Sequence, residues 1–317
     1  MRVVQLPLFP PEALTSAPPA AQEIRQGLTP GSTLGEAMEE FRGHMRQKGF
    51  SIHTINSFLG DLRILARYVG ADRPIGRLAT KDLKDFLEYL LYRRGKPCNA
   101  KSYARRLTTL KVFFEWLAEI EALPTDPAAP LVHQPVSTPL PQVLFDGEVS
   151  RLLDAGETLR RGEDPDARPL FLFQLLLTTG IKKAECMAIK LSDLDLSGAD
   201  GPVLYVRYDH PQRKHKERKL RLGAEFAALL QEYRQKHHPQ IHLFECTNRN
   251  LEYVLRDLGV RAGVDTPVSF ETLRMTCAVR DYRGGAPLEA LRAKLGLSHI
   301  SWEETSQKIE RLASSPL

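Results

Sequence analysis

The sequence predicts a mainly α-helical protein with a small β-sheet, built as two domains. Through most of the 317 residues, apolar side chains recur at the spacing of an α-helix. Only residues 203–207 and 218–222 form the short runs typical of β-strands. Six prolines fall between residues 123 and 143, where they prevent a helix and separate the two halves. The hydrophobic content of 42% is sufficient for one core in each half.

The N-terminal half begins with a segment that we expect to be a flexible arm over residues 1–31. Six prolines among alanine, serine and glycine leave it too little apolar surface to offset the entropy of ordering. Thr33 and Glu36 have the spacing of a capping box and predict a helix start. Three more helices are predicted at 51–69, 80–92 and 99–120. Residues 32–123 are therefore predicted to form a four-helix domain.

The C-terminal half follows a stiff linker predicted over residues 124–143 and occupies residues 144–317. Residues 170–177 are apolar on all sides, which indicates a core helix. The helices predicted here cover residues 146–155, 168–178, 224–237, 248–258, 271–283 and 288–295. The two strand-like runs flank a charged tip, so we expect a β-hairpin there.

Composition excludes several classes of protein. Four widely spaced cysteines, Cys98, Cys186, Cys246 and Cys277, form no metal-ligand or disulfide pattern. We therefore expect no metal, no cofactor and a reducing cytoplasmic location. The longest apolar runs are too short to span a membrane, so no membrane partner is expected. A net charge of +5 leaves a polyanionic partner open, and the distribution of charge must decide.

One basic cluster lies on the fourth predicted helix and its lead-in loop. Seven lysines and arginines, and no acid, lie between Glu88 and Glu115. Lys101, Arg105 and Thr109 share one helical face, and Tyr103 and Arg106 lie close by. Such a face can enter a DNA major groove while contacting phosphates, whereas the alternative interpretation is a solvated helix surface.

A second basic cluster occupies the tip of the predicted hairpin at residues 210–219. It carries Arg213, Lys214 and Lys216 among five cations and a single acid. Two basic elements on two domains joined by a stiff linker favour a clamp around duplex DNA.

The order of these elements and four sequence boxes resemble the tyrosine recombinases, or phage integrases, of the Xer and lambda integrase type. Residues 179–185, Thr-Gly-Ile-Lys-Lys-Ala-Glu, resemble the family's TG-x-R-x-x-E box, and the hairpin run at 216–222 resembles its hairpin arm. Residues 271–275 resemble its HxLRH box and 295–297 its LGH box. Over residues 33–306 the resemblance implies an N-terminal core-binding (SAM-like) domain and a C-terminal domain of the recombinase catalytic-type fold.

The resemblance also implies a chemistry, in which a tyrosine attacks a phosphodiester while arginines and a lysine neutralise the phosphate and histidines move protons. The corresponding positions are Lys182 and Arg274 for the arginines, Arg213 or, with a one-residue shift, Lys214 for the lysine, Glu271 and Leu297 for histidines, and Ser306 for the tyrosine. Arg274 matches the family's residue, Lys214 would match it under the shifted register, and the other positions carry different residues. We therefore predict a protein that is not an enzyme.

The sequence predicts a nucleoid-associated protein that clamps double-stranded DNA. We expect it to act as an accessory subunit or a regulator of recombination or of a mobile element. Its other expected partner is an active recombinase or another subunit on the same DNA. The alternatives are an active recombinase that uses Ser306 or a nucleophile from another chain, and an interaction protein that hardly touches DNA. The predicted DNA-contacting residues are Lys101, Tyr103, Arg105, Arg106, Thr109, Lys182, Arg213, Lys214, Lys216 and Arg274.

Overall fold

The computed structural model describes residues 27–96, 98–132, 140–198 and 201–314, without the side chain of Gln212. The chain divides into two compact units, residues 1–139 and 140–317. Both are built mainly of helices, and a single small sheet occurs in the second unit within the described residues. The predicted fold class is confirmed.

The N-terminal unit contains four α-helices: α1 (Leu34–Gln47), α2 (Ile52–Val69), α3 (Thr80–Glu88) and α4 (Ala100–Glu119). The capping box forms, because Thr33 Oγ1 accepts from the Glu36 backbone N–H at 3.2 Å and Glu36 accepts from the Thr33 N–H at 2.7 Å. The third helix is shorter than predicted, since its last turn is a π-helical segment, Tyr89–Arg93.

The core of this unit is an aromatic cluster on α1 and α4. Phe41, Phe113 and Trp116 are buried, with ring centroids of neighbouring pairs 5.1 to 6.1 Å apart. Of the predicted arm, residues 1–26 lie outside the described residues. Leu28 packs against the core, and the Gly76 N–H donates to the carbonyl of Pro30, so chain contacts begin before Thr33.

The C-terminal unit contains eight helices and three strands among its described residues. The helices are α5 (Asp146–Arg161), α6 (Arg168–Thr179), α7 (Lys183–Ala188), α8 (Phe226–His237), α9 (Asn248–Arg261), α10 (Phe270–Arg283), α11 (Leu288–Leu295) and α12 (His299–Ala313). The strands are β1 (Leu194–Asp195), β2 (Val203–Val206) and β3 (Arg218–Arg221), in the order β1-β2-β3 and antiparallel. A 3₁₀ segment, Pro211–Lys216, forms the tip between β2 and β3.

The predicted core helix α6 is the centre of this unit. Leu170, Phe171, Leu172 and Phe173 are fully buried, which explains why four successive residues are apolar. Gly156 on α5 allows α5 and α6 to pack closely, since a Cβ at this position would come within 2.8 Å of Leu170.

The last helix, α12, packs against α10 around a smaller core. Ile309 is fully buried there, together with Val143, Ala278 and Val279. Of the predicted linker, residues 133–139 lie outside the described residues. Its beginning packs on the N-terminal core through Leu131, and its end joins the small core through Val143.

Candidate nucleic-acid interface

Three cationic side chains converge on the C-terminal end of α11. The bonds are Arg218 Nε to the Lys294 carbonyl (2.6 Å), Arg274 Nη2 to the Leu295 carbonyl (2.6 Å) and Lys182 Nζ to the Gly296 carbonyl (3.2 Å). The last carbonyls of a helix lack partners within the helix and carry the negative end of its dipole, so cations are favoured there. We call Lys182, Arg218 and Arg274 the cation cluster.

Two glycines in left-handed conformation give this cluster its shape. Gly180, with φ +60°, ends α6, and its carbonyl accepts a second hydrogen bond from Arg274. Gly296, with φ +58°, ends α11, and a Cβ there would lie 2.7 Å from Arg218 Nη1. Both positions require glycine because other residues disfavour positive φ.

Glu185 is the carboxylate that hydrogen-bonds to the cluster. It lies on α7 and accepts from both terminal nitrogens of Arg218, at 2.9 and 3.2 Å, and from the Lys182 N–H at 2.8 Å. The Tyr208 hydroxyl also donates to it. Burial opposes ionisation of Glu185, but the bonds from Arg218 outweigh it and lower the pKa of the carboxyl.

The cluster carries more positive than negative charge. Its three cations face one carboxylate, which leaves a net charge of about +2 in a partly buried site. Burial lowers the pKa of Lys182 to about 8; Glu185 opposes this shift, whereas Arg274 and Lys216 add to it. Burial also lowers the pKa of Arg274. The site therefore holds its cations at an energetic cost that a bound anion would relieve.

The structure brings together some predicted site residues and separates others. Lys182 and Arg274 join the cluster, and Lys216 is half-buried near Lys182. Arg213 and Lys214 are exposed on the hairpin tip and form no hydrogen bond with the cluster among the described contacts.

The remaining positions implied by the resemblance lie on α10, α12 and the turn before α12. Glu271 is exposed in the first turn of α10. Leu297 packs against the small core, and the Ser306 hydroxyl donates to the carbonyl of Glu303 at 3.1 Å.

Sequence reasoning missed the pairing of Glu185 with Arg218 and the hydrogen bond from Tyr208. Glu185 closes the first box and Arg218 lies in the hairpin box, so both belong to the recognised motifs. Their contact depends on how β3 packs beside α11, which sequence spacing does not show. The prediction that placed the hairpin cations together at the tip is corrected for Arg218, whose side chain is only 9% exposed.

The predicted DNA face on α4 needs a larger correction. Arg106 and Thr109 are buried and bind Asp61 of α2, as does Arg105 at 2.9 Å. The stretch of sequence around these arginines contains no acid, but Asp61 on another helix neutralises part of their positive charge. Arg106 and Thr109 are therefore removed from the candidate surface.

The three other predicted residues of α4 are exposed or partly exposed. Lys101 is exposed in the first turn, and Tyr103 is half-buried against the core. Arg105 shows about a third of its side chain.

Two arginines stack on an exposed tyrosine of α9, a group that the sequence analysis did not predict, and one of them, Arg256, also pairs with Asp257. The guanidinium groups of Arg249 and Arg256 lie 5.4 and 4.6 Å from the ring centre of Tyr253, which is exposed. The spacings of four and three residues place all three on one helical face, and this was the available signal.

No group of histidine, cysteine, aspartate and glutamate able to hold a metal occurs within the described ranges. Among those same residues, no helix is both long and apolar enough to cross a membrane.

Comparison with protein families gives two matches. Residues 142–307 match the phage integrase family, and residues 38–120 match the phage integrase N-terminal SAM-like domain. The resemblance stated from the sequence motifs is confirmed.

Curated relatives are similar over most of their length. Tyrosine recombinase XerC of Staphylococcus haemolyticus is 27% identical over 267 residues, covering 80% of this chain and 86% of the relative. Tyrosine recombinase XerD of Listeria monocytogenes is 23% identical over 280 residues, covering 84% and 91%. XerC of Xanthomonas campestris is 27% identical over 314 residues, covering 92% and 90%.

Solved structures share the fold. A lambda integrase dimer bound to a COC' core site matches with a TM-score of 0.69 and 16% identity, covering 95% of this chain and 83% of that one. XerH bound to palindromic difH substrate matches with a TM-score of 0.66 and 17% identity, covering 88% and 82%.

These comparisons correct one prediction. The chain was expected not to be an enzyme because most family positions carry other residues. Its curated relatives are tyrosine recombinases, which are enzymes, and the matched region at 142–307 spans the cation cluster. The inference from substituted residues to a non-enzyme was therefore wrong.

Proposed function

The chain belongs to the phage integrase family, and on that premise we propose that it clamps duplex DNA as a subunit of a recombination complex. The observation that carries the proposal is the cation cluster, in which three cations face one carboxylate. A DNA phosphodiester supplies the negative charge that this site lacks, and an arginine guanidinium can donate two parallel hydrogen bonds to phosphate oxygens.

The exposed cations of the hairpin tip support the same function. Arg213 and Lys214 extend beyond β2 and β3 and form a continuation of the positive charge near Lys216. Contacts of this kind bind phosphates without reading bases, and they position a protein on the duplex. On α9, Arg249 beside Tyr253 offers a further exposed cation, whereas the charge of Arg256 is paired with Asp257 at 2.8 Å.

The charge distribution along α4 favours a role for its N-terminal end. Lys101 lies in the first turn and Glu119 in the last, which is the opposite of what the helix dipole favours. Each such placement costs about 0.3–1 kcal/mol, so stability alone does not explain the pattern. A phosphate near Lys101 would offset that cost.

We propose that the chain is organised as a DNA-binding domain over residues 32–123, a linker over 124–143 and a recombinase-fold domain over 144–317. The two compact units support this division, with their boundary after residue 139. Other recombinase subunits on the same DNA are the proposed partners, since the lambda integrase relative of similar fold is a dimer bound to a core site.

The test is a series of fluorescence anisotropy titrations with a labelled duplex at several salt concentrations. We expect affinity to fall steeply with salt, with a log-log slope of about 0.9 per phosphate contact. Lys101→Glu and Lys214→Glu should weaken binding. Arg161→Glu serves as the control, because Arg161 is three-quarters exposed on α5 and forms no hydrogen bond with the cation cluster or the hairpin tip among the described contacts. Affinity that is absent at low salt, or independent of salt, would refute the proposal.

A further inference from the structure

Two neighbouring apolar side chains are exposed where the π-helical segment Tyr89–Arg93 follows α3. Tyr92 is 80% exposed and Leu91 is 41% exposed. Leu91 lies four positions after the buried Leu87, so a continuous α-helix would place it on the core side. The wider turn of the π-helix changes this spacing and leaves Leu91 beside Tyr92 at the surface. Turns of this kind are frequent at functional sites.

The backbone that carries this apolar pair is anchored in the core. Leu90 is fully buried, and the ring of Tyr89 stacks on Tyr68 of α2 with the ring centroids 4.8 Å apart. Tyr92 therefore projects from a fixed base, so its ring loses less conformational entropy on binding a partner than a ring on a flexible loop would lose. An exposed apolar pair on such a base is typical of a contact surface.

The charge around the pair indicates that the partner is DNA. Arg93, Arg94 and Lys96 follow it directly, and none of them forms an ion pair or a hydrogen bond among the described contacts. The nearest acid in the sequence is Glu88, so three cations and one carboxylate flank the pair. Duplex DNA offers both the phosphates that these cations bind and the stacked bases that accept an apolar ring.

The pair is also continuous with the first turn of α4, where Lys101 is exposed. Burial raises the pKa of Tyr103 on that helix, and the nearby Cys98 and Tyr92 raise it further. Because such effects act only over a short range, Tyr92 and Tyr103 are neighbours. A duplex bound at Lys101 therefore comes within reach of Tyr92.

We propose that Tyr92, supported by Leu91, is a wedge that inserts between neighbouring base pairs of the bound duplex, an inference that rests on the DNA binding proposed above. The adjacent cations bind phosphates on either side of the opened step. Opening the step costs stacking free energy, which burial of the exposed ring offsets. Pyrimidine–purine steps unstack most easily, so the wedge favours a site with such a step at the point of insertion. Tyr92 thus selects DNA by its deformability, without hydrogen bonds to base edges.

The test uses duplexes selected for tight binding from a random-sequence pool, with 2-aminopurine replacing each adenine of either strand in turn. This base fluoresces weakly when stacked and more strongly when a neighbouring base pair is displaced. Anisotropy on the same duplexes measures affinity at several salt concentrations. The variants are Tyr92→Ala, Tyr92→Phe, which keeps the ring, and Lys96→Ala, which removes a charge.

Ile52→Ala is the matched control for loss of an exposed apolar side chain. Ile52 is 54% exposed in the first turn of α2, and no lysine or arginine occurs among the three residues on either side of it. We expect fluorescence to rise at one step of the duplex with the wild type, Tyr92→Phe, Lys96→Ala and Ile52→Ala, and not with Tyr92→Ala.

Affinity and salt dependence separate the ring from the charges. Tyr92→Ala should bind about tenfold more weakly, the order of magnitude of a lost stacking contact, with an unchanged salt slope because a neutral ring releases no counterions. Lys96→Ala should instead lower the salt slope by about 0.9. The melting temperature of Tyr92→Ala should stay unchanged, since the side chain is largely exposed, and this separates lost binding from lost folding.

Bound duplex in which fluorescence rises at no position would overturn the wedge and leave DNA binding standing. A rise that persists in Tyr92→Ala would overturn it too. If Tyr92→Ala alters only the self-association of the protein in sedimentation experiments, the pair is a protein contact and the inference is wrong. Failure of the wild type to bind any duplex would refute the proposed function as well.

Discussion

The half-buried ammonium of Lys182 makes DNA affinity dependent on pH. Its pKa is lowered to about 8 by burial, with Arg274 and Lys216 contributing. A phosphate beside Nζ would supply an opposite charge and return the pKa of Lys182 toward its ordinary value. Binding above pH 8 therefore takes up a proton, and affinity falls as pH rises.

The size of the effect follows from the two protonation states. At pH 7 about nine-tenths of Lys182 is charged in the free protein, and at pH 9 about one-tenth. If only the charged form binds, affinity falls about tenfold between these values, or about 1.4 kcal/mol. Folding stability shifts in the opposite direction, because a lysine whose pKa is lowered in the folded state adds stability as pH rises from about 8 to its unfolded value. Unfolding thus does not account for lost affinity.

The assay is anisotropy with one labelled duplex at pH 7, 8 and 9 and constant ionic strength. Lys182→Arg is the matched control, since a guanidinium stays charged throughout this range. We expect a tenfold fall for the wild type and a nearly flat profile for the variant. A flat wild-type profile, or the same fall in Lys182→Arg, would refute the placement of a phosphate at Lys182.

Three further predictions concern stability and salt dependence. Asp61→Ala should reduce the free energy of unfolding by about 3–5 kcal/mol in urea titrations, because it leaves the buried Arg106 unpaired; the exposed Asp72→Ala should not. Arg274→Ala should lower stability by about 2–4 kcal/mol, since its guanidinium holds the carbonyls of Gly180 and Leu295, and an unchanged melting temperature would contradict this role. Lys214→Ala should lower the salt slope of binding by about 0.9 without changing the melting temperature, and an unchanged slope would remove Lys214 from the interface.

Most of the fold followed from local sequence signals. The capping box at Thr33 and the all-apolar run of α6 each predicted an element that the structure contains. The short helix α7 and the two-residue strand β1 were not predicted, because each is too short to show a period. The π-helical turn after Glu88 was also missed, since the apolar spacing there continues as in an α-helix.

The candidate site was predictable only where motifs marked it. The boxes identified Lys182 and Arg274, and both are in the cluster. The prediction of a DNA-contacting Arg106 from the local charge was wrong, because Asp61, which pairs with it, lies 45 positions earlier in the sequence and on another helix. Long-range pairing of this kind depends on tertiary packing, which a single sequence does not specify.

The cation cluster has a structural role as the cap of α11, and its charge shows that this role is incomplete. A helix C-terminus carries about half a negative charge, and Glu185 adds one more. Together they offset about half of the three positive charges of Lys182, Arg218 and Arg274, and Lys216 adds further positive charge nearby. Each cation bonds a different carbonyl, yet the negative charge present balances only about half of them, and the lowered pKa of Lys182 shows that the site disfavours the excess positive charge. One phosphodiester, with a single negative charge shared by two oxygens, would supply most of the missing negative charge. Such binding explains why the site contains three cations.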